Sequence, residues 1–315
     1  MTTTQGLDQY LPVAVQTLIG AENLDFDLYV ANKSGRPLLF RSRNAALGSE
    51  LERTVDWGLK TMLIRFADRA AYEHHLQTRL TADDGLSAAG KYALLTAATR
   101  QVFENALQGG SVAGMVRAAD EFGTQLADAL CGRSPVLREL FDLMLHDYST
   151  YTHSANVATY CVCLAQTLGI TDRNQVAQIA TGALLHDLGK REIEPYVLNK
   201  TQGLSKQERS AIQRHPHIGF IALSRDPKLS WSQLMMVYQH HERLDGRGYP
   251  VGVVEDEIDP WAKICAVADV FDALTSDRPY RKAMTTREAY AFLEQRGKSF
   301  DHEVVRCLKT AMQKT

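Results

Sequence analysis

Hydrophobic and polar positions alternate in two different ways along the chain. Between residues 25 and 80 the pattern is mixed. Asp27-Leu-Tyr-Val30 and Pro37-Leu-Leu-Phe40 are short β-prone runs, and Asn32-Lys-Ser-Gly-Arg36 separates them with turn-forming residues. Ser49 to Trp57 predicts a helix, with Leu51, Val55 and Leu59 spaced for one buried face and Ser49 and Arg53 outward. Thr61 to Phe66 predicts another strand, and Ala67 to Leu80 a second helix. The order strand, strand, helix, strand, helix fits a small α/β module, assigned to residues 1–84. His74 and His75 fall on its second helix and read as part of a solvated face.

Asp83-Asp84-Gly85 breaks this pattern. Residues 85–130 are rich in Ala, Leu, Gln, Glu and Arg, with one interruption at Gly109-Gly110, and predict two connecting helices. A signal relay, a homodimer contact or a spacer packed on the main domain would each account for them. From Cys131 onward apolar positions recur at helical spacing and strand alternation is rare, so residues 131–315 predict an all-helical domain. Val157, Cys161, Leu164 and Leu168 form one face, and Gly169 suits the end of that helix. Asp172 can cap the next helix, which runs to Leu185, and Ser205 with Glu208 forms a capping box. The fold class expected is mainly α, a helical bundle behind a small α/β N-terminal module.

Composition adds mostly exclusions. The chain has 315 residues, 45% hydrophobic and 23% charged, with 35 Lys and Arg against 37 Asp and Glu. A formal net charge of -2 argues against a general nucleic-acid binder, which carries a basic excess. The five cysteines are too few and odd in number for a disulfide framework. Cys161 and Cys163 look like a metal pair, yet residues two apart on a helix point about 200° away from each other, so they read as buried thiols. The first 32 residues carry no Lys or Arg, and no apolar run approaches the ~18 residues of a membrane span. The expected location is the cytoplasm, without membrane association.

Histidine changes the picture. Seven of the ten histidines lie between residues 146 and 241. The sharpest local signal is Leu184-Leu-His-Asp-Leu-Gly-Lys190, an adjacent His-Asp pair closing an apolar helix. Asp is costly in such a place unless its charge is paired, and a divalent ion would pair it. Neighbouring helical residues differ by about 100°, so His186 and Asp187 can also face two ions side by side. His153 lies on the inward face with Cys161 and Leu164, His215 follows a capped helix, and His240 and His241 end another apolar helix. Asp269 sits in the apolar run Ala262-Lys-Ile-Cys-Ala-Val-Ala-Asp-Val270. Each alone could be a hydrogen-bonded core residue; one shared metal centre accounts for all of them.

The double histidine runs into Glu242-Arg-Leu-Asp-Gly-Arg-Gly-Tyr-Pro250. With His186-Asp187-Leu-Gly-Lys190, His215-Pro-His-Ile-Gly219, Ala268-Asp-Val-Phe-Asp-Ala273 and Asp277-Arg-Pro-Tyr-Arg281, this ordered set resembles the HD-GYP family of cyclic di-GMP phosphodiesterases, a branch of the HD metal-dependent phosphohydrolases. The resemblance covers residues from about 145 to 310. It implies an all-helical HD-type bundle and the metal ligands His153, His186, Asp187, His215, His240, His241 and Asp269, with Asp187 bridging two divalent metal ions. Some members hold a third metal with a Glu four residues before the first histidine. Here that position is Ser149, so a dinuclear centre is expected, iron first and manganese as the alternative.

The implied activity is hydrolysis of cyclic di-GMP to linear pGpG, and onward to GMP, by in-line attack of a hydroxide shared by the metals. Asp187 and Lys190 carry the implied catalytic roles, with Lys190, Tyr249, Arg278 and Arg281 as substrate contacts. The family often has Lys where this chain has Arg281. Asp272, three residues after Asp269, reads as orienting a histidine or as a plain helix contact. His217 lies on another face and is left out of the ligand set. Two alternatives stand beside this reading: a phosphohydrolase for another nucleotide, and a degenerate domain that binds a nucleotide or protein without turnover. Signalling partners are expected through the N-terminal module or the Gly-Tyr-Pro loop.

Overall fold

The computed structural model describes residues 9–32, 36–47, 49–59, 61–81, 93–97, 111–131, 150–198, 200–277 and 281–313. The chain divides into two compact units, Met1–Ala98 and Thr99–Thr315.

The first unit is a four-stranded antiparallel sheet with helices. Its strands are β1 (Tyr10–Ala14), β2 (Leu28–Ala31), β3 (Pro37–Arg41) and β4 (Thr61–Arg65), in the spatial order β1-β4-β2-β3. β4 alternates as a half-buried strand should, with Met62 and Ile64 inward. They join Val13, Leu18, Phe26, Leu28, Leu51, Tyr72 and Leu76 in one core, where α1 (Glu50–Asp56) and α2 (Arg69–Thr81) contribute Leu51 and the last two. Two sequence expectations change here. β1 adds a strand beyond those read from the sequence; at the sheet edge the missing N–H of Pro12 is tolerated. His75 is not on a solvated face: its Nε2 lies 2.9 Å from the Thr17 carbonyl, and its ring packs beside Phe26 and Tyr72. His74 is exposed as expected.

Of the first expected connecting helix, residues 93–97 are helical and the rest lies outside the described residues. The second is α3 (Val112–Leu130), capped by Ser111, whose Oγ accepts from the Gly114 N–H. Rather than spanning a gap, α3 packs along α5 (Arg173–Leu185) within the second unit.

At the centre of that unit is α4 (Thr150–Thr167), buried around nearly its whole circumference, with Thr152, His153, Ser154, Asn156 and Thr159 among its buried residues. It is flanked by α5, α10 (Pro260–Thr275) and α12 (His302–Gln313). Between α5 and α10 the chain forms a 3-10 turn (Leu188–Glu192), α6 (Pro195–Leu198), α7 (Lys206–Gln213), α8 (His215–Leu223) and α9 (Trp231–Gln239). α11 (Thr286–Gln295) follows α10. Local signals set these boundaries. Asp172 accepts from the Gln175 N–H at 2.8 Å, Ser205 and Glu208 cap each other, and Gly169 ends α4 with φ of 88°. Cys161, Cys163, Cys265 and Cys307 are buried free thiols, and burial alone pushes Cys163 up to about 12. Among the described residues, no helix is long and apolar enough to cross a membrane.

Candidate metal centre

Five pieces of chain deliver donors to one region. α4 brings His153, and the end of α5 brings His186 and Asp187. The first residue of α8 is His215, and the residues after α9 are His240 and His241. One face of α10 carries Asp269. The 3-10 turn after Asp187 lies against the start of α8 so tightly that a Cβ on Gly189 would come 2.0 Å from the His215 carbonyl oxygen. Only glycine permits that approach, which sets Asp187 beside His215.

The donors form two groups, each with its ligand atoms within 4.8 Å of one another: Asp187, His215, His240 and His241 in one, and His153, His186 and Asp269 in the other. Asp187 stands between them. Its Oδ1 lies 3.2 Å from His215 Nε2 and 3.8 Å from His240 Nε2. Its Oδ2 lies 3.4 Å from His186 Nε2 and 3.6 Å from His153 Nε2, with Lys190 Nζ in close contact. His153 Nε2 is 3.1 Å from Asp269 Oδ1, and His241 Nδ1 is 3.7 Å from Asp269 Oδ2. All are buried except His241, which is partly so.

Four of the imidazoles are anchored through Nδ1. His186 Nδ1 lies 2.6 Å from the Ala183 carbonyl, His215 Nδ1 2.7 Å from that of Ile212, and His240 Nδ1 3.0 Å from that of Val237. His153 Nδ1 lies 2.7 Å from Asp272 Oδ2. A carbonyl can only accept, so in His186, His215 and His240 a ring proton resides on Nδ1 and Nε2 points inward. His215 and His240 thereby aim Nε2 at each other across 3.2 Å. Two lone pairs so placed repel unless a cation or proton lies between them. His186 Nε2 and Asp187 Oδ1 are also buried without a hydrogen-bond partner. Such orphans are costly in a core, and mixed imidazole and carboxylate donors suit first-row divalent ions. The residues fit metal ions on these grounds.

Electrostatics follow the same layout. Burial pushes the Asp187 carboxyl up, but the charges of Lys190 and His186 prevail and hold it well below the usual range. Asp269 is likewise held low, against burial, by the His153 hydrogen bond and the His241 charge. Burial and the neighbouring imidazoles keep His240 and His241 well below the ordinary histidine value. His153 goes the other way: burial opposes its charge, yet hydrogen bonds to Asp269 and Asp272 lift it to about 9.

Of the expected substrate contacts, Lys190 sits on Asp187 and Tyr249 lies across His241, with ring centroids 4.6 Å apart at 31°. Arg281 turns its Nη2 to the Ala273 carbonyl at 2.5 Å, while Nη1 is buried without a hydrogen-bond partner. Arg278 and Ser149 lie outside the described residues. His217 is exposed beside Tyr238, away from both donor groups. Three further residues emerge only in three dimensions. Asn156 donates to Asp272 Oδ1 at 2.9 Å; its spacing of three from His153 was a usable signal. Arg243 donates to the carbonyls of His240 and Glu242 and lies over the Phe300 ring. Glu242 bonds the backbone of the Gly-Tyr-Pro loop.

Comparisons with known proteins converge on this half of the chain. Residues 136–304 match a family model described as HD domain. The chain is 33% identical over 194 residues to the cyclic di-GMP phosphodiesterase PA4108 of Pseudomonas aeruginosa, covering 62% of this chain and 47% of that protein. It is 43% identical over 147 residues to the cyclic di-GMP phosphodiesterase response regulator RpfG of Xanthomonas campestris, covering 46% and 39%. It is 38% identical over 168 residues to the 3'3'-cGAMP-specific phosphodiesterase 3 of Vibrio cholerae, covering 52% and 36%. The chain thus spans less than half the length of these relatives. Among solved structures, Bd1817, an HDG"Y"P protein from Bdellovibrio bacteriovorus, aligns with a TM-score of 0.71 at 20% identity, over 97% of this chain and 100% of that one, a likeness of fold.

Proposed function

The chain belongs to the HD domain family, and from that premise we propose that it is a metal-dependent phosphodiesterase of the HD-GYP kind, hydrolysing cyclic di-GMP to linear pGpG and onward to GMP. The observation that carries this reading is Asp187, whose two oxygens face two separate sets of inward imidazoles. His153, His186 and Asp269 would hold one divalent ion, and His215, His240 and His241 the other, with Asp187 shared. Iron is the proposed metal, and manganese would suit the same donors. Two such ions, when bound, supply positive charge for phosphoryl oxygens and bring the pKa of water toward neutrality.

The chain's own residues do the remaining work. Lys190 offers a cation to a phosphate oxygen from its seat on Asp187. Tyr249 presents a ring and a hydroxyl to the nucleotide, and Arg278 and Arg281 supply forked donors for phosphate or a guanine edge. Asp272 fixes the tautomer of His153. Residues 1–84 act as a regulatory or partner-binding module, residues 85–130 as the segment between, whose α3 packs on the catalytic domain, and residues 131–315 as that domain, in the cytoplasm. Protein partners would dock on that module or on the Gly-Tyr-Pro loop.

Protein purified without oxygen and loaded with Fe²⁺ or Mn²⁺ tests this directly. Given cyclic di-GMP and 3'3'-cGAMP in parallel, it should release pGpG, and Asp187→Ala should not. The cGAMP arm is included because relatives carry that specificity in their names. Faster cleavage of cGAMP would reassign the substrate. Nucleotide binding without product would leave a binding domain, a reading the complete donor set disfavours.

A further inference from the structure

We propose that Glu242 is a positioning residue: its buried carboxylate closes the Gly-Tyr-Pro loop so that Tyr249 lies across His241, and it holds no metal. Its importance for substrate rests on the phosphodiesterase reading above; its structural part does not.

Glu242 directly follows the two histidines and is 2% exposed. A buried carboxylate in that place invites assignment as an eighth ligand. The geometry points elsewhere. Oε1 accepts from the Val251 N–H at 2.8 Å and the Gly252 N–H at 3.1 Å, and Oε2 accepts from the Gly252 N–H at 3.0 Å. Both oxygens are committed to backbone nine and ten residues ahead, and Glu242 belongs to neither donor group among the described residues.

The segment between is drawn tight over this carboxylate. Tyr249 N–H donates to the His241 carbonyl at 3.2 Å, and Gly246 N–H to that of Arg243 at 2.8 Å. Gly248 passes so near that a Cβ there would lie 2.3 Å from Glu242 Cα and 2.4 Å from Arg243 N. The loop is therefore pinned from both sides, with Arg247 exposed at its tip. Hydrogen bonds to a carboxylate are about twice as strong as neutral ones, and here they act on a loop whose flanks are also joined by an antiparallel bridge between Asp245 and Val254.

Trypsin cleavage after Arg247 reports loop opening, read by mass spectrometry on metal-loaded wild type, Glu242→Gln and Gly248→Ala of matched circular dichroism. Replacing one carboxylate oxygen with an amide should speed that cut about tenfold or more. Metal content should stay unchanged. KM for cyclic di-GMP should rise about tenfold with kcat within about threefold. Gly248→Ala should give the same split, and adding Glu242→Gln to Tyr249→Ala should raise KM no further. Loss of a metal ion in Glu242→Gln would make it a ligand and overturn the proposal. So would an unchanged cut, or a faster cut with unchanged KM. If wild type turns over no cyclic di-GMP, the phosphodiesterase reading fails, and the protease and metal arms still decide the role of Glu242.

Discussion

Asp272→Ala isolates the support beneath one donor. Asp272 is fully buried, lies 2.7 Å from His153 Nδ1 and accepts from the Asn156 amide at 2.9 Å. Removing it takes away the carboxylate that holds the His153 proton on Nδ1, and so favours protonation of Nε2, the atom 3.1 Å from Asp269 and 3.6 Å from Asp187. Loss of such an outer partner typically weakens metal binding by roughly 10–100-fold, or about 1.4–2.7 kcal/mol. The metal-free fold should also lose about 1–3 kcal/mol, since the buried Asn156 amide loses its bond to Asp272 Oδ1. A chelator-competition titration with Mn²⁺ separates the two sites. The site containing His153 should weaken by that factor, while the site of His215, His240 and His241 stays within about threefold. Unchanged affinity at both sites would refute the reasoning and return Asp272 to a plain helix contact.

Stability of the metal-free protein should peak near neutral pH, measured by denaturant titration from pH 5 to 10. His153 is raised to about 9, so its stabilising charge is fully present below the ~6.5 of an unfolded histidine and is lost as pH climbs through 9. His240 and His241 are held low, so their contribution is present above ~6.5 and fades as pH falls below it. Because a metal must displace the His153 proton, affinity should rise with pH up to about 9. Asp187→Asn takes the charge from the proposed shared ligand, and a loss of several kcal/mol in charge stabilisation corresponds to about a thousandfold or more in kcat. Gly189→Ala drives a methyl into the His215 carbonyl. It should cost about 1–3 kcal/mol of stability in a melt and weaken metal binding through His215, although it touches no donor side chain.

How much could be read from the sequence follows from how local each signal is. Asp172, Ser205 and Glu208 act on backbone within three residues, so helix starts were legible. Asp187 and Asp269 stood out because a carboxylate in an apolar helix has few acceptable surroundings. Non-local causes hid the rest. Tyr10–Ala14 is a strand because β4 pairs with it some fifty residues later. His75 is sheltered by the Thr17 carbonyl, 58 residues away in the chain. For Val112–Leu130 a relay, a dimer contact and a packed spacer all stayed open, because its apolar face shows no partner until α5 covers it. Glu242 sits inside the quoted motif, yet the direction of its side chain is set by the closing of the loop ahead of it. Residue type was written in the chain, and orientation was not.

The central claim is that Asp187 is shared by two metal ions, and anomalous diffraction from crystals of the iron- or manganese-loaded protein measures that most directly. Two peaks are expected, one contacting Asp187, His215, His240 and His241, the other contacting Asp187, His153, His186 and Asp269. A single peak, or metal bound with Asp187 outside its coordination sphere, would contradict the account.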